Sequence, residues 1–420
     1  MDLKKILKET DNTINCTDDN YVDNIKIGNN DFVFKETTIK SFFVYDDYKK
    51  IFVFLTAVGT LRNNYPIFHR ISWHDKFKGI KLYFDDPTRA EINFAPCFYF
   101  GNKKNNYLSL IKEIIQKIQV KYGVSNSDIT FISSSNGGFA GIYLADQFSG
   151  SSCISFCPQL DVELFVGESN FKKFKEMTGI GAGDIDSEIS QRLNLYRVAT
   201  KPRTSSVCHS SKYIIYSNIA CLSDKNQIDS LCKSINFKYE MGLNKVNDNF
   251  YLIIVSMHNI DPHTVQPDVD FCSYLSKYFW SDSDDRKAEF VKYFINMMSS
   301  YNQNKFKYLL INSLFCFDIT PSNVSIKIID ESRLDIILSP EVYIRISGLG
   351  KMLKMVKPSV RFKKTIKNLE MEKVYKYVQD TNNYIDENEI WVNIWGETLT
   401  LDNFKYWFKK ANDYIGFYRE

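Results

Sequence analysis

Strand-like apolar runs alternate with helix-like segments from about residue 20 to residue 300, and this alternation limits the folds that the chain can adopt. The runs are short, continuous and rich in β-branched and aromatic residues, as expected of strands that are buried on both faces. They lie at 49–58, 79–86, 129–133, 152–157, 212–219 and 249–257. Such alternation predicts an α/β fold with a doubly wound, mostly parallel sheet. In a sheet of this kind, ligands bind outside the carboxyl ends of the strands.

The sequence pattern changes after about residue 285. A helical pattern at 287–306 is followed by runs within 324–349 that alternate apolar and polar residues with period two, which favours an antiparallel β unit. The segment 399–417 has the pattern of a terminal helix. We therefore predict three regions: an N-terminal extension with short strands (1–40), a main α/β domain (41–300) and a smaller β-rich C-terminal accessory domain with a terminal helix (301–420).

Composition and charge narrow the class of protein. The formal net charge is +3, which is too small to indicate nucleic-acid binding. The cysteines form no C-x-x-C pair, and the chain shows neither an apolar signal segment nor a run of about 18 apolar residues. We therefore expect a cytoplasmic chain with free thiols and no membrane-spanning helix. The basic segment 351–367 is typical of a solvated face, or of docking to an anionic polymer or to the inner face of a membrane.

The stretch ITFISSSNGGFAGIYLADQF (129–148) places small polar residues between a strand-like run and a helix predicted at 138–148. A nucleophile elbow needs this context, since its serine sits on a sharp turn from strand to helix, usually in the pattern G-x-S-x-G. Here the pattern is S-S-S-N-G, with Ser133 in place of the first glycine. Small residues are needed around a nucleophile in a left-handed turn. Ser135 is therefore the candidate nucleophile, and a polar turn that caps a helix is the structural alternative.

Later strands supply candidates for an acid and a base in the chain order Ser, Asp, His of an α/β-hydrolase. Asp224 follows one strand-like run, with Asp229 and Asp261 as rivals. His263, in the loop sequence DPHT, and His258 both follow the next run. We prefer Asp224 with His263, because the loop of His263 has room to reach over the sheet, but His258 stays open as the base.

Further groups are predicted around the nucleophile. The backbone N–H of Asn136 would point at a developing oxyanion, and a second donor is expected from Gly59 or Thr60. The segment FHRISWHDKF (68–77) would either line an acceptor site or form an ordinary surface loop with an aromatic anchor. Its candidate substrate-binding side chains are Arg70, Trp73 and His74.

Other chemistries lack a matching motif. The chain contains no Walker loop, no G-x-G-x-x-G and no H-E-x-x-H motif. Asp85 and Asp86 end a strand-like run, but adjacent strand residues point to opposite faces and make a poor metal pair. Turn formation is the alternative for both. We therefore expect no metal ion in the site.

Five segments together resemble a known family. FISSSNGGFAG (131–141) resembles the G-S-S-x-G-G-F-A elbow of bacterial α/β-hydrolase-like proteins associated with capsule and surface-glycan biosynthesis. SWHDKFKGIKLYFDDPT (72–88) resembles the segment that precedes this elbow in those proteins. FCPQLD (156–161) resembles the N-x-P-Q segment of capsule O-acetyltransferases of the meningococcal type. SDKNQ (223–227) and DPHT (261–264) are similar to the acid and histidine regions of those proteins.

This resemblance covers roughly residues 40–280 and implies an α/β-hydrolase-type fold with a Ser135–Asp224–His263 triad. It also implies acetyl-CoA as acyl donor, a capsular or surface polysaccharide as acceptor and capsule biosynthesis proteins as partners. The expected activity is serine-dependent acetyl transfer through an acyl-enzyme intermediate. A carbohydrate esterase or deacetylase with the same triad, and a non-catalytic component of a glycan assembly complex, are the alternatives.

Overall fold

The structure of the chain is a computed structural model in which a ten-stranded sheet is the largest feature. It describes residues 11–35, 37–57, 65–91, 98–102, 105–162, 164–165, 172, 176, 211–257, 263, 266–298, 325–330, 333–338 and 362–367.

The strands of the described residues are numbered in chain order. They are β1 (Asn12–Asn15), β2 (Gly28–Phe34), β3 (Thr37–Val44), β4 (Ile51–Leu55), β5 (Ile80–Phe84), β6 (Ile129–Ser134), β7 (Ser152–Phe156), β8 (Lys212–Asn218), β9 (Gly242–Asn247), β10 (Phe250–Val255), β11 (Ser325–Asp330), β12 (Arg333–Leu338) and β13 (Phe362–Lys367).

The helices are numbered in the same way. They are α1 (Thr88–Glu91), α2 (Tyr107–Tyr122), α3 (Ser135–Gln147), α4 (Leu222–Ser234), α5 (Val269–Lys277) and α6 (284–298). No helix in this described part of the chain is long and apolar enough to cross a membrane.

The strand order of the large sheet is β1-β2-β3-β5-β4-β6-β7-β8-β10-β9. Its central strands, β5-β4-β6-β7-β8-β10, run parallel to their neighbours, whereas β2–β3, β3–β5 and β9–β10 are antiparallel pairs. The prediction of a mostly parallel sheet is therefore confirmed. All residues of β4, β6 and β10 are buried, which is the physical reason for the continuous apolar sequences of β4 and β10.

Contacts divide the chain into two compact units. The first comprises Met1–Val255 and Gln266–Tyr293, and it contains the ten-stranded sheet. The strands predicted for the N-terminal extension belong to this sheet, and β3 extends across the predicted boundary at residue 40.

The second unit comprises Ser256–Val265 and Phe294–Glu420. Its described strands form an antiparallel sheet in the order β11-β12-β13, the type of structure predicted for this region. The predicted terminal helix at 399–417 lies outside the described residues.

Candidate active site

The carboxyl ends of β6, β7 and β8 lie side by side, because these strands are parallel neighbours in the sheet. Ser135 directly follows β6, Cys157 directly follows β7, and Asp224 lies in the first turn of the helix after β8. Residues that are far apart in the sequence therefore meet at one edge of the sheet, where ligands of parallel α/β sheets bind.

Ser135 has the backbone geometry that a nucleophile elbow requires. It is the first residue of α3, whose start differs from the predicted residue 138, and it follows β6 without an intervening loop. Its φ is 53°, in the left-handed region that residues with a Cβ rarely adopt. Such a conformation costs on the order of 1–3 kcal/mol and persists only where the surrounding structure enforces it.

Gly137 and Gly138 let the first turn of α3 pack directly on the sheet. A Cβ atom at Gly137 would lie 2.6 Å from the carbonyl oxygen of Thr56 and 2.7 Å from that of Leu55. A Cβ atom at Gly138 would lie 2.5 Å from Ser155 Oγ. Because real Cβ atoms do not approach other atoms this closely, only glycine fits at both positions.

Ser133 replaces the usual first glycine of the elbow without disrupting it. Its side chain is fully buried, and its Oγ donates a hydrogen bond to Ser155 Oγ at 3.4 Å. A Cβ atom at Gly141 would lie only 2.4 Å from Ser133 Oγ. Gly141 of α3 has no Cβ atom and therefore leaves the space that the Ser133 side chain needs.

Asn136 occupies the position of the predicted oxyanion donor. Backbone N–H groups in the first turn of a helix have no partner within the helix, and the helix dipole makes this end positive. The Asn136 side chain is buried, and its Oδ1 accepts no hydrogen bond from the described residues. Gly59 and Thr60, the candidates for the second donor, lie outside the described residues.

Asp224 is a buried carboxylate that is 1% exposed. Its Oδ1 accepts a hydrogen bond from Gln159 Nε2 at 3.3 Å. Its rival Asp229 is much more exposed and is held in an i,i+4 ion pair with Lys225. The second rival, Asp261, lies outside the described residues. Among the described candidates, Asp224 is therefore the acid that is shielded from water beside the elbow.

His263 is half-buried and belongs to the segment between β10 and α5. The contacts of the chain group this histidine with the second compact unit. In the first unit, the Sγ atom of Cys157 and one carboxylate oxygen of Asp224 lie within 4.8 Å of each other. His258 lies outside the described residues.

Cys157 is a buried thiol beside the acid. Burial raises the pKa of this thiol well above its ordinary value, and the Asp224 carboxylate raises it further. The thiol is therefore protonated at neutral pH, and a protonated thiol is a poor nucleophile. It does not compete with Ser135 for that role, and its S–H group can donate to Asp224.

Arg70 contacts two aromatic rings and a glutamine side chain. Its guanidinium lies 5.3 Å from the centre of the Trp73 ring and 5.4 Å from that of Phe156, within cation–π range. Its Nη2 donates a hydrogen bond to Gln266 Oε1 at 2.6 Å. Burial lowers the pKa of Arg70 to about 10, so the side chain keeps its charge at neutral pH. Since Phe156 pairs with Ser134 in the sheet, Arg70 lies at the same edge as the elbow.

His74 and Trp73 lie on the same loop as Arg70. Trp73 ends a short 3-10 helix, Ile71–Trp73, and is half-buried. The Nδ1 atom of His74 is buried and has no hydrogen-bond partner among the described residues. The structure therefore brings Arg70 and Trp73 together, whereas no hydrogen bond fixes Nδ1 of His74.

Sequence reasoning missed His69 on this loop. Its Nδ1 accepts a hydrogen bond from the Ala57 backbone N–H at 3.3 Å, just after β4. Burial lowers the pKa of His69 to about 4, and the neighbouring charge of Arg70 lowers it further. His69 is thus neutral at neutral pH, and because its Nδ1 accepts a hydrogen bond, its Nε2 carries the proton. Nothing in the dipeptide His69-Arg70 indicated that this histidine would be buried and hydrogen-bonded.

Asp85 and Asp86 have structural partners, in agreement with the turn alternative. Asp85 accepts a hydrogen bond from the Ile67 N–H at 2.7 Å and forms an ion pair with Arg89. Asp86 accepts from the Tyr99 N–H at 2.6 Å. Burial raises the pKa of Asp85 to about 6 and that of Asp86 to about 7. These carboxylates hold the loops that follow β5.

The central parallel strands, the flanking helices and the serine on a strand-to-helix turn define the α/β-hydrolase type of fold. No protein-family model matches the chain. A comparison with curated proteins finds no match either.

Several solved structures are similar to this chain. The capsule O-acetyltransferase of Neisseria meningitidis serogroup A is 15% identical, the match covers 61% of this chain and 95% of that chain, and the TM-score is 0.41. A variant of that enzyme is known in complex with CoA. The glycosylation-associated protein complex Gap123 from Streptococcus agalactiae is 14% identical. The match covers 63% of this chain and 48% of that chain, and the TM-score is 0.42.

A hydrolase of 2,6-dihydroxy-pseudo-oxynicotine is 12% identical, with 61% of this chain and 69% of that chain covered and a TM-score of 0.39. Acetyltransferases and hydrolases thus occur side by side among the similar structures. Likenesses of this size carry no argument about the reaction, which has to come from the site itself.

Proposed function

We propose that this protein is a serine-dependent acetyltransferase that modifies a bacterial capsular or surface polysaccharide through an acyl-enzyme intermediate. The observation that carries the proposal is Ser135 in a left-handed conformation at the first turn of α3, beside the buried Asp224. The acetyl donor, acetyl-CoA, and the glycan acceptor come from the sequence resemblance of the segments 131–141 and 156–161 to capsule O-acetyltransferases.

The first half-reaction forms the acetyl-enzyme. His263 accepts the proton of the Ser135 hydroxyl while Oγ attacks the thioester carbonyl carbon of acetyl-CoA. Asp224 fixes the imidazole tautomer and stabilises the imidazolium. The backbone N–H groups of Asn136 and Gly59 stabilise the oxyanion. The carbon–sulfur bond then breaks, and His263 returns the proton to the sulfur, so that CoA leaves as a thiol.

The second half-reaction transfers the acetyl group. His263 accepts the proton of a sugar hydroxyl, whose oxygen attacks the acetyl carbon of the ester on Ser135. The bond to Oγ breaks, Oγ takes the proton from His263, and an acetylated sugar and free serine result. Arg70, Trp73 and His74 would line the acceptor site, where the guanidinium can bind anionic or hydroxyl groups.

Location and partners complete the proposal. We place the protein in the cytoplasm beside the capsule biosynthesis proteins. The basic segment 351–367 would contact the inner face of the membrane or the anionic polymer.

Ser135→Ala tests the proposal. Acetyl transfer from acetyl-CoA to capsule fragments should disappear in this variant, and the acetyl adduct on residue 135 should be absent from the mass spectrum. Ser134→Ala is the matched control, because Ser134 is an equally buried neighbour that makes no side-chain capping bond. Full transfer by Ser135→Ala would overturn the assignment.

Two measurements separate the alternatives. Acetyl-CoA consumed no faster with polysaccharide than without it, together with release of acetate from acetylated glycan, would indicate an esterase. Failure of a fluorophosphonate probe to label Ser135 in the folded protein would indicate a non-catalytic role.

A further inference from the structure

Gln159 connects the candidate nucleophile to the candidate acid. It lies in the segment after β7 and is fully buried. Its backbone N–H donates a hydrogen bond to the carbonyl oxygen of Ser135 at 3.1 Å. Its side-chain Nε2 donates to Asp224 Oδ1 at 3.3 Å and contacts the carbonyl oxygen of Cys157 at 3.5 Å. Gln159 therefore contacts both the backbone of the elbow, which follows β6, and the carboxylate of Asp224, which follows β8.

The neighbours of the Gln159 amide determine its orientation. Asp224 Oδ1 and the Cys157 carbonyl oxygen are both acceptors, so the amide must present Nε2 to them. Turning the amide over would place Oε1 against these two oxygens. In the required orientation, Oε1 is buried and has no hydrogen-bond partner among the described residues. An unpaired buried acceptor is unfavourable, so this contact with Asp224 is retained at a cost in stability.

We propose that Gln159 is a positioning residue that holds the Asp224 carboxylate in a fixed position relative to Ser135. This inference rests on the proposed function, in which Asp224 is the acid. The amide suits this task because it is neutral. A lysine or arginine at this place would compensate the negative charge that Asp224 needs to stabilise an imidazolium, whereas an amide orients the carboxylate and leaves its charge in place.

The test measures the rate at which a fluorophosphonate probe labels Ser135 as a function of pH in the full chain. Gln159→Met removes the hydrogen bond at similar side-chain volume. The labelling rate at neutral pH should fall roughly tenfold to hundredfold, the effect of losing a hydrogen bond to a charged group.

Gln159→Glu supplies the readout that a purely structural role would not change. It is almost isosteric and adds a second carboxylate beside Asp224. Two carboxyl groups this close share one proton near neutral pH, and the second negative charge appears as the pH rises. That charge favours the protonated histidine, so the acidic limb of the labelling profile should move upward, by up to about one pH unit. This variant also answers the question if Gln159→Met fails to fold.

Gln227→Met is the matched control. Gln227 is an equally buried glutamine whose Oε1 accepts hydrogen bonds from the N–H groups of Leu160 and Asp161 at 2.9 and 2.8 Å, and no hydrogen bond connects it to Asp224 or Ser135. Loss of the Gln227 hydrogen bonds should lower the free energy of unfolding but leave the acidic limb of the labelling profile unchanged.

The two proposals can fail separately. If Ser135 is not labelled in the unmodified protein, the proposed function fails. If Ser135 is labelled but Gln159→Met keeps its rate and Gln159→Glu keeps its acidic limb, only the role of Gln159 is overturned. An equal shift of the limb in Gln227→Met would also overturn it.

Discussion

At the scale of single residues, the candidate site combines a left-handed backbone conformation with buried polar atoms that lack a partner among the described residues. Ser135 has a φ of 53°, and Asn136 and Gln159 each bury a side-chain oxygen that accepts no hydrogen bond from the described residues. An unpaired buried acceptor costs about 1–3 kcal/mol. Such costs concentrate at functional sites, where a fixed geometry matters more than stability.

His69 provides a pH test at this scale. Its pKa of about 4 in the folded chain lies below the ordinary value near 6.5, so the folded state favours the neutral form. The associated stability is present above pH 6.5 and is lost as the pH falls towards 4. His69→Asn keeps an acceptor for the Ala57 N–H without titrating. We expect the wild type to lose about 2 kcal/mol more than this variant between pH 7 and pH 4.5.

Urea unfolding at both pH values measures this difference. Asp85 and Asp86 act in the opposite direction, since their raised pKa values favour the folded state as the pH falls. They are present in both proteins, so their effects cancel in the comparison. Equal losses in the wild type and in His69→Asn would contradict the prediction.

At the scale of elements, the approach of α3 to the sheet determines which residues its first turns can contain. The backbone of α3 packs against the ends of β4 and β7 at Gly137 and Gly138, and against Ser133 of β6 at Gly141. Ser133 and Gly141 are therefore sterically complementary, since a side chain at one position requires glycine at the other.

A double-mutant cycle tests this pair. Gly141→Ala should destabilise the fold by about 1–3 kcal/mol, because its Cβ would overlap Ser133 Oγ, although alanine is normally favoured over glycine inside a helix. Ser133→Gly restores the usual elbow and should recover most of that loss in the double variant. Equilibrium unfolding of the four proteins gives the coupling energy. Additive effects would mean that the two positions are independent.

At the scale of the whole molecule, the strand order assembles the site. Because β4, β6, β7 and β8 are consecutive parallel neighbours, their carboxyl ends bring together the loop of His69 and Arg70, the elbow, the segment of Cys157 and Gln159, and the helix of Asp224. Arg70 shows the same effect over a longer separation, since it contacts Phe156 and Gln266.

Arg70→Lys tests the role of that contact. Lysine lacks the planar group that stacks on Trp73 and Phe156, and it cannot reproduce the bond to Gln266 in the same geometry. We expect KM for the glycan to rise by about tenfold, equivalent to the loss of one such contact. The rate of fluorophosphonate labelling of Ser135 should stay unchanged. A KM equal to that of the wild type would remove Arg70 from the substrate site.

The sequence by itself determined the features that depend on local pattern. The buried strands were predictable because burial on both faces requires continuous apolar runs, and the elbow because strand, small-residue turn and helix are contiguous from 129 to 148. The position of Asp224 after a strand was also predictable, whereas its role as the acid stays a prediction. The start of α3 at Ser135 was not, because a single residue in the left-handed region leaves no periodic signal.

Only the tertiary structure decided which distant side chains meet. That Cys157 and Gln159 lie against Asp224, and that Gly141 makes room for Ser133, follow from strand order and from the close approach of α3 to the sheet. No sequence pattern encodes these contacts, since they join strands and helices that are separate in the chain. The sequence therefore predicts a candidate nucleophile and a candidate acid, and the fold determines which side chains surround them.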